Sequence, residues 1–290
     1  MIYTSRLAAI ITFFWAATNV FEARSQSYFT STELGIALGG SQYFGDLNNN
    51  YGFKTVSAAG GIYARKHMNS YISIKLVANY TQVSYDDKYN SDLYEKTRNL
   101  NFKSPVIEGA LQAEFNFFSF ITGDPYHRFT PFLTGGIGMF YYSSSTVYQG
   151  TTYSLQPQGT EGQYVGYSTR RYGNTSPCFP IGAGMKFWLK GGVNLTLEIA
   201  DRLTTTDYLD DVSTTYVGVT SFPKGSVAAA LQDRSIEINP KAPIGTEGKQ
   251  RGNTASYDQY LMAMLSVSWH FTSYKCPSFM KNDELIRATR

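Results

Sequence analysis

Three aspartates within five positions, Asp207, Asp210 and Asp211 in the stretch DRLTTTDYLDDVSTTY (201–216), are the residues most open to a chemical reading. A catalytic pair of carboxylates needs a cleft, a defined separation and a matched partner, and nothing adjacent supplies one. Calcium is better suited to the residue types, because carboxylates and loop carbonyls are its usual ligands. Yet DYLDD lacks the alternating ligand spacing and the turn glycine of an EF-hand, so Asp207, Asp210 and Asp211 form only a weak calcium candidate. The remaining reading is a loop start that is either solvated or held by hydrogen bonds to backbone N–H groups.

The other reactive residues are sparse. His67, His127 and His270 are the three histidines, and they fall in no spaced ligand motif, so zinc is not expected. Ser266 and Ser268 neighbour His270, but a serine nucleophile there has no groove to receive a lipid substrate, and no hydrolase is expected. No cofactor or small-molecule substrate is implied. Cys178 and Cys276 are two thiols, and their pairing depends on where the strands place them.

These residues must be positioned by β-strands. Segments of about ten residues alternate apolar side chains with small or polar ones, which is the strand period. In VIEGALQAEFNFF, Ile107, Leu111, Phe115 and Phe117 fall on one face, and Glu108, Gln112, Glu114 and Asn116 on the other. Eight such segments are predicted, at 32–40, 54–65, 71–84, 104–118, 129–142, 178–189, 193–202 and 257–271. The bulky residues share one face. The opposite face carries Gly, Ala and Ser beside Lys75, Glu108, Glu114, Lys186, Glu198 and Arg202.

A soluble sandwich also alternates, but it turns its apolar face inward. Here the connections alternate in length too. They are short at 66–70, 119–128 and 190–192, and long at 41–53, 85–103, 143–177 and 203–256. That is the pattern of an outer-membrane barrel, with short periplasmic turns, long extracellular loops and an even strand number. The predicted fold is therefore all-β, an eight-stranded antiparallel transmembrane barrel. A barrel of that size is filled by its own side chains, so the inward charges are expected to pair as a plug rather than line a pore. On this topology Cys178 opens the sixth strand at the outer rim and Cys276 follows the eighth in the periplasm. That is about a bilayer thickness apart, far beyond the reach of a disulfide. Cys276 is left free or paired with another protein.

Composition agrees with a membrane solvent. The chain has 23 Tyr, 19 Phe and 26 Gly, and only 16% charged residues against the usual ~25%. A net charge of +3 with no Lys/Arg block gives no footprint for nucleic acid. The N-terminus MIYTSRLAAIITFFWAATNVFEARSQ has Arg6, an apolar run from Leu7 to Val20 and the small-x-small site Ala23-Arg24-Ser25. It reads as a cleaved signal peptide over 1–25, which directs export to the outer membrane. The barrel is expected over 26–271, with a periplasmic tail over 272–290.

Several stretches together are similar to one family. ELGIALGGSQYFGDLN (33–48), SPVIEGALQAEFNFF (104–118), TPFLTGGIGMFYY (130–142), PIGAGMKFWL (180–189) and LEIADRLTTTDYLDDVSTTY (197–216) occur in this order. In that order they resemble the PorG family, outer-membrane barrels of the Bacteroidetes type IX secretion system. SQYFGDLN and TTTDYLDDVS are the specific pieces. The resemblance covers nearly all of the mature chain and implies a non-enzymatic part of a protein-export machine, associated with a periplasmic ring of PorK and PorN type. It brings no catalytic residues. A periplasmic contact nominates Asp124, Tyr126 and His127 in the turn 119–128, and Cys276, Phe279, Leu285 and Ile286 in the tail. The competing reading is a free-standing small barrel, of adhesin or envelope-stability type, acting through its extracellular loops.

Overall fold

Residues 29–274 are described by the computed structural model, and its compact body runs from Ser31 to Phe271. The predicted signal segment 1–25 lies outside the described residues, as do the tail positions Cys276, Phe279, Leu285 and Ile286.

Ten strands follow in chain order: β1 (Phe29–Phe44), β2 (Ser57–His67), β3 (Ile72–Asp86), β4 (Asn101–Asn116), β5 (Phe129–Tyr142), β6 (Ser145–Tyr148), β7 (Thr151–Ser154), β8 (Thr175–Lys190), β9 (Val193–Thr204) and β10 (Gln259–Tyr274). Eight of them pair antiparallel in the order β1-β2-β3-β4-β5-β8-β9-β10, and β10 lies beside β1. The sheet closes on itself, which leaves no edge strand in the barrel. β6 and β7 are a hairpin in the loop after β5, joined to β4 through Lys103↔Ser145. All eight predicted strands exist. The structure lengthens most of them into the long loops, to Phe44, Asp86 and Thr204, because the barrel wall continues past the apolar band as a polar collar.

Alternation decides the two faces. Cross-strand rows such as Leu76–Leu111–Ile137 and Met185–Leu197–Leu265 are exposed on the outside. The intervening residues, among them Glu33, Arg65, Lys75, Glu108, Glu114, Lys186 and Arg202, are buried inside. An apolar exterior around a charged interior is the inverse of a soluble sandwich and belongs to a transmembrane barrel. Asp201, paired with Ile181 and Leu261, breaks the apolar rows near the long-loop end of β9.

Small inward residues leave room for large ones. At Gly184 a Cβ would sit 2.6 Å from the Phe132 ring, so glycine is what lets that buried aromatic lie against β8. One end of the barrel carries the short connections 68–71, 117–128 and 191–192; the other carries the long ones 45–56, 87–100, 143–174 and 205–258.

Candidate functional site

The long loops do not hang free. They fold over one another into a cap with its own helices, Leu93–Arg98 and Val227–Gln232, each opened by a side-chain cap from Asp92 or Ser226. Their apolar residues, including Leu47, Leu100, Leu155, Leu209, Val212 and Leu231, continue the core formed by Tyr43, Phe102, Phe140, Tyr142 and Tyr260 at the mouth of the barrel. Arg98 pairs with Asp87 of its own loop (2.7 Å) and reaches the carbonyls of Arg251 and Asp46 in two others. Glu161 accepts from Arg251 (3.0 Å) and from the backbone N–H groups of Ser213 and Thr214. Tyr172 and Tyr208 stack at 4.4 Å.

Asp207, Asp210 and Asp211 are buried inside this cap, and each is taken up by a different set of donors. Asp207 accepts from Ser213 Oγ (2.5 Å). Asp210 accepts from Tyr43 Oη (2.5 Å) and from the Val212 N–H. Asp211 accepts from Thr160 Oγ1 (2.6 Å) and Tyr172 Oη (2.5 Å), on a left-handed backbone at φ 67°. Two further aspartates join them: Asp258 accepts from the Leu209 N–H and lies 2.8 Å from the same Tyr43 Oη, and Asp46 accepts from the Asn253 N–H. Burial pushes these carboxyls up. Asp211 rises to about 6, Asp46 to about 7 and Asp207 to about 8, while Asp210 and Asp258 go well above the usual range, each also facing neighbouring carboxylates. Such groups take up protons more readily than exposed aspartates and serve as hydrogen-bonding joints.

Below the cap the interior is a closed charge network. Glu114 is its hub, accepting from Lys186 Nζ (2.6 Å) and Arg65 Nη2 (3.1 Å), with Lys75 Nζ at 3.3 Å. Lys75 also pairs with Glu198. Arg202 Nε donates to Glu108 Oε2 (3.1 Å), which Tyr260 Oη also reaches (2.7 Å). Glu33 accepts from Arg65 Nη1 (2.7 Å), Asn194 Nδ2 (2.7 Å) and Ser268 Oγ (3.0 Å). Four acids thus meet four bases across the lumen. A cavity of about 30 Å³ beside Tyr63, Gln112 and Met264 is room for ~2 water molecules, not a channel. Glu33 and Arg65 complete the network although the sequence reading did not single them out. Their inward parity, shared with Ala37 and Tyr63, was the available signal.

Cys178 points into this core as a buried free thiol among the described residues, inside β8 rather than at the strand's outer rim. The strand begins at Thr175 because its backbone keeps pairing with β5 and β9 past the apolar band.

At the short-turn end, residues 117–128 form a tight set of backbone turns. His127 Nδ1 lies 2.7 Å from Asp124 Oδ2, and Asp124 also accepts from the Tyr126 N–H. The hydrogen bond from His127 holds the Asp124 carboxyl below its usual range. Tyr126 is 92% exposed, which leaves its ring wholly available for contact. Phe120 is buried, and Thr122 Oγ1 accepts from Asn194, tying the turn to the interior network.

The histidines are not scattered as their spacing suggests. His127 stands apart with Asp124, but closure of the barrel sets β10, β1 and β2 side by side and brings His270 and His67 to Glu33. His67 Nε2 lies 2.7 Å from Glu33 Oε1. Ser268 is turned to Glu33 and Ser266 to Thr196 O, so neither is held by His270; Ser31 Oγ approaches both ring nitrogens of His270, at 3.1 and 3.4 Å. That side-on approach is not the geometry of a nucleophile and its base.

A protein-family model described as a domain of unknown function, DUF6089, matches residues 10–228. The chain belongs to the DUF6089 family. No curated protein matches this DUF6089 chain in sequence. Among solved structures it is similar to Ail, the attachment invasion locus protein of Yersinia pestis, at 9% identity over 83% of this chain and 99% of that one, with a TM-score of 0.40. It is similar to Neisserial surface protein A at 13% identity over 84% and 98%, TM-score 0.38. The N-terminal barrel domain of Pseudomonas aeruginosa OprF is similar at 10% identity over 83% and 97%, TM-score 0.36.

Proposed function

We propose that this DUF6089 protein is a non-enzymatic outer-membrane component of a type IX protein secretion machine, organising a PorK/PorN-type ring from the membrane. The observation that carries the reading is the sealed barrel. A lumen filled by paired charges beneath a folded cap is suited to anchoring and unsuited to passage. The resemblance of SQYFGDLN and TTTDYLDDVS to the PorG family supplies the identity of the machine. In this orientation the short-turn end faces the periplasm, where Asp124, Tyr126 and His127 present a small, internally hydrogen-bonded contact point. Cys276, Phe279, Leu285 and Ile286, in the tail beyond Tyr274, are the further contact candidates of this reading.

The test is mass spectrometry of what co-purifies with a tagged copy from gently solubilised outer membranes. A lipoprotein and its ring-forming partner are expected, and truncation after Tyr274 should remove them while the barrel stays inserted and heat-modifiable. Truncation there spares β10, which runs to Tyr274. Recovery of the barrel alone, under conditions that preserve other envelope complexes, would overturn the proposal in favour of a free-standing barrel working through its cap.

A further inference from the structure

We propose that Glu33, His67 and His270 form a divalent-metal site of the zinc type at the short-turn rim of the barrel. One donor atom from each residue lies within 4.8 Å of the other two. Two imidazoles and one carboxylate are a ligand set that zinc accepts, with a water completing four-coordination. Ligands at ~2.0–2.2 Å from a tetrahedral ion stand roughly 3.4 Å from one another. The 2.7 Å pair of His67 Nε2 and Glu33 Oε1 therefore has to open slightly to admit an ion, and every donor already lies within 4.8 Å of the others.

The surroundings are arranged to hold such ligands. Glu33 is fully buried and its Oε2 is occupied by Arg65 and Ser268, which leaves Oε1 turned toward His67 with Asn194 as its second donor. His67 Nδ1 lies 2.9 Å from the buried Ser73 Oγ. With a metal on Nε2, the Nδ1–H donates to that hydroxyl, and ring orientation and tautomer are both set. The His67 and His270 rings lie nearly parallel, 6.2 Å apart. Both are partly exposed, so an ion has a route in and a water can occupy the open position.

A ligating nitrogen carries no proton, so an ion on His67 Nε2 takes the place of the hydrogen bond between that nitrogen and Glu33 Oε1. Arg65 competes for the same carboxylate, which makes the site weaker than a thiolate one. The three ligands come from strands that meet only when β10 closes against β1, so an occupied site ties the last strand to the first two. None of this depends on the secretion role.

Zinc alone is the probe. The full mature chain, purified without a histidine tag, is stripped with chelator in detergent and titrated against a chromophoric zinc competitor. One zinc per barrel is expected. His67→Gln and His270→Gln should each weaken binding about tenfold or more, the scale on which metal sites respond to loss of supporting groups. Cobalt(II) should give the visible bands of a tetrahedral centre in the parent and lose them in the variants. Heat-modifiable gel mobility checks that each variant is folded. Zinc bound equally by the folded double variant, or no stoichiometric zinc in the folded parent, would overturn the site.

Discussion

At the residue scale, Glu114 decides whether the lumen is neutral. It is fully buried and is shared by Arg65, Lys75 and Lys186. Lys75 and Arg65 keep a second carboxylate, in Glu198 and Glu33, whereas Lys186 falls back on the Asn116 amide alone. Breaking a buried pair on one side leaves an uncompensated charge, at a cost of about 3–5 kcal/mol. Glu114→Ala should therefore lower the urea midpoint of the refolded barrel strongly, while the double change Glu114→Gln with Lys186→Met should recover most of the loss. Equal stability of Glu114→Ala and the parent would remove Glu114 as hub. Six of the eight charges in this network were legible in the sequence, because Lys75, Glu108, Glu114, Lys186, Glu198 and Arg202 sit on the inward parity of long, clear strands. Glu33 and Arg65 obey the same parity, but each stands near the end of a shorter apolar run, beside His67 and Lys66 in the case of Arg65, where alternation fades into turn chemistry.

At the scale of elements, strand period 2 depends only on neighbours in the chain, and so the eight barrel strands could be read directly. The cap could not. Tyr43 meets Asp258 across 215 positions and Arg98 meets Arg251 across 153, and no local pattern encodes such contacts. The same limit hid the meeting of His67 with His270, which exists only because β10 closes on β1. The cap also has a pH signature. Its aspartates bind protons in the folded state that they lose when exposed, so stability falls as pH rises from the ordinary carboxyl range through the raised values of about 6 to about 8. Amide exchange in 205–258, corrected for intrinsic rate, should show higher protection at about pH 5 than at about pH 8.5. Protection that is flat, or that increases with pH, would mean these carboxyls ionise freely inside the cap. Asp207→Asn should blunt the dependence, since the amide replaces the protonated acid without titrating.

At the scale of the whole molecule, the barrel is closed three times over: by its cap, by its charge network and by the turn at 117–128 tied to it through Thr122 and Asn194. Reconstituted in planar bilayers it should carry no steady ion current. Removing most of 205–258 should leave it silent still, because the paired charges remain. A regular conductance from the intact protein would contradict the plugged interior. Tyr43 stands on the first strand, and it is clasped by Asp210 and Asp258 from the segment that precedes the last. The lid thus cannot be completed until the whole chain has arrived. In the proposed orientation the polar loops cross the bilayer before the latch at Tyr43 closes, and the charges gathered in the finished cap make a return through the apolar band costly. Assembly becomes one-way, and the orientation of the barrel is locked by the step that finishes it.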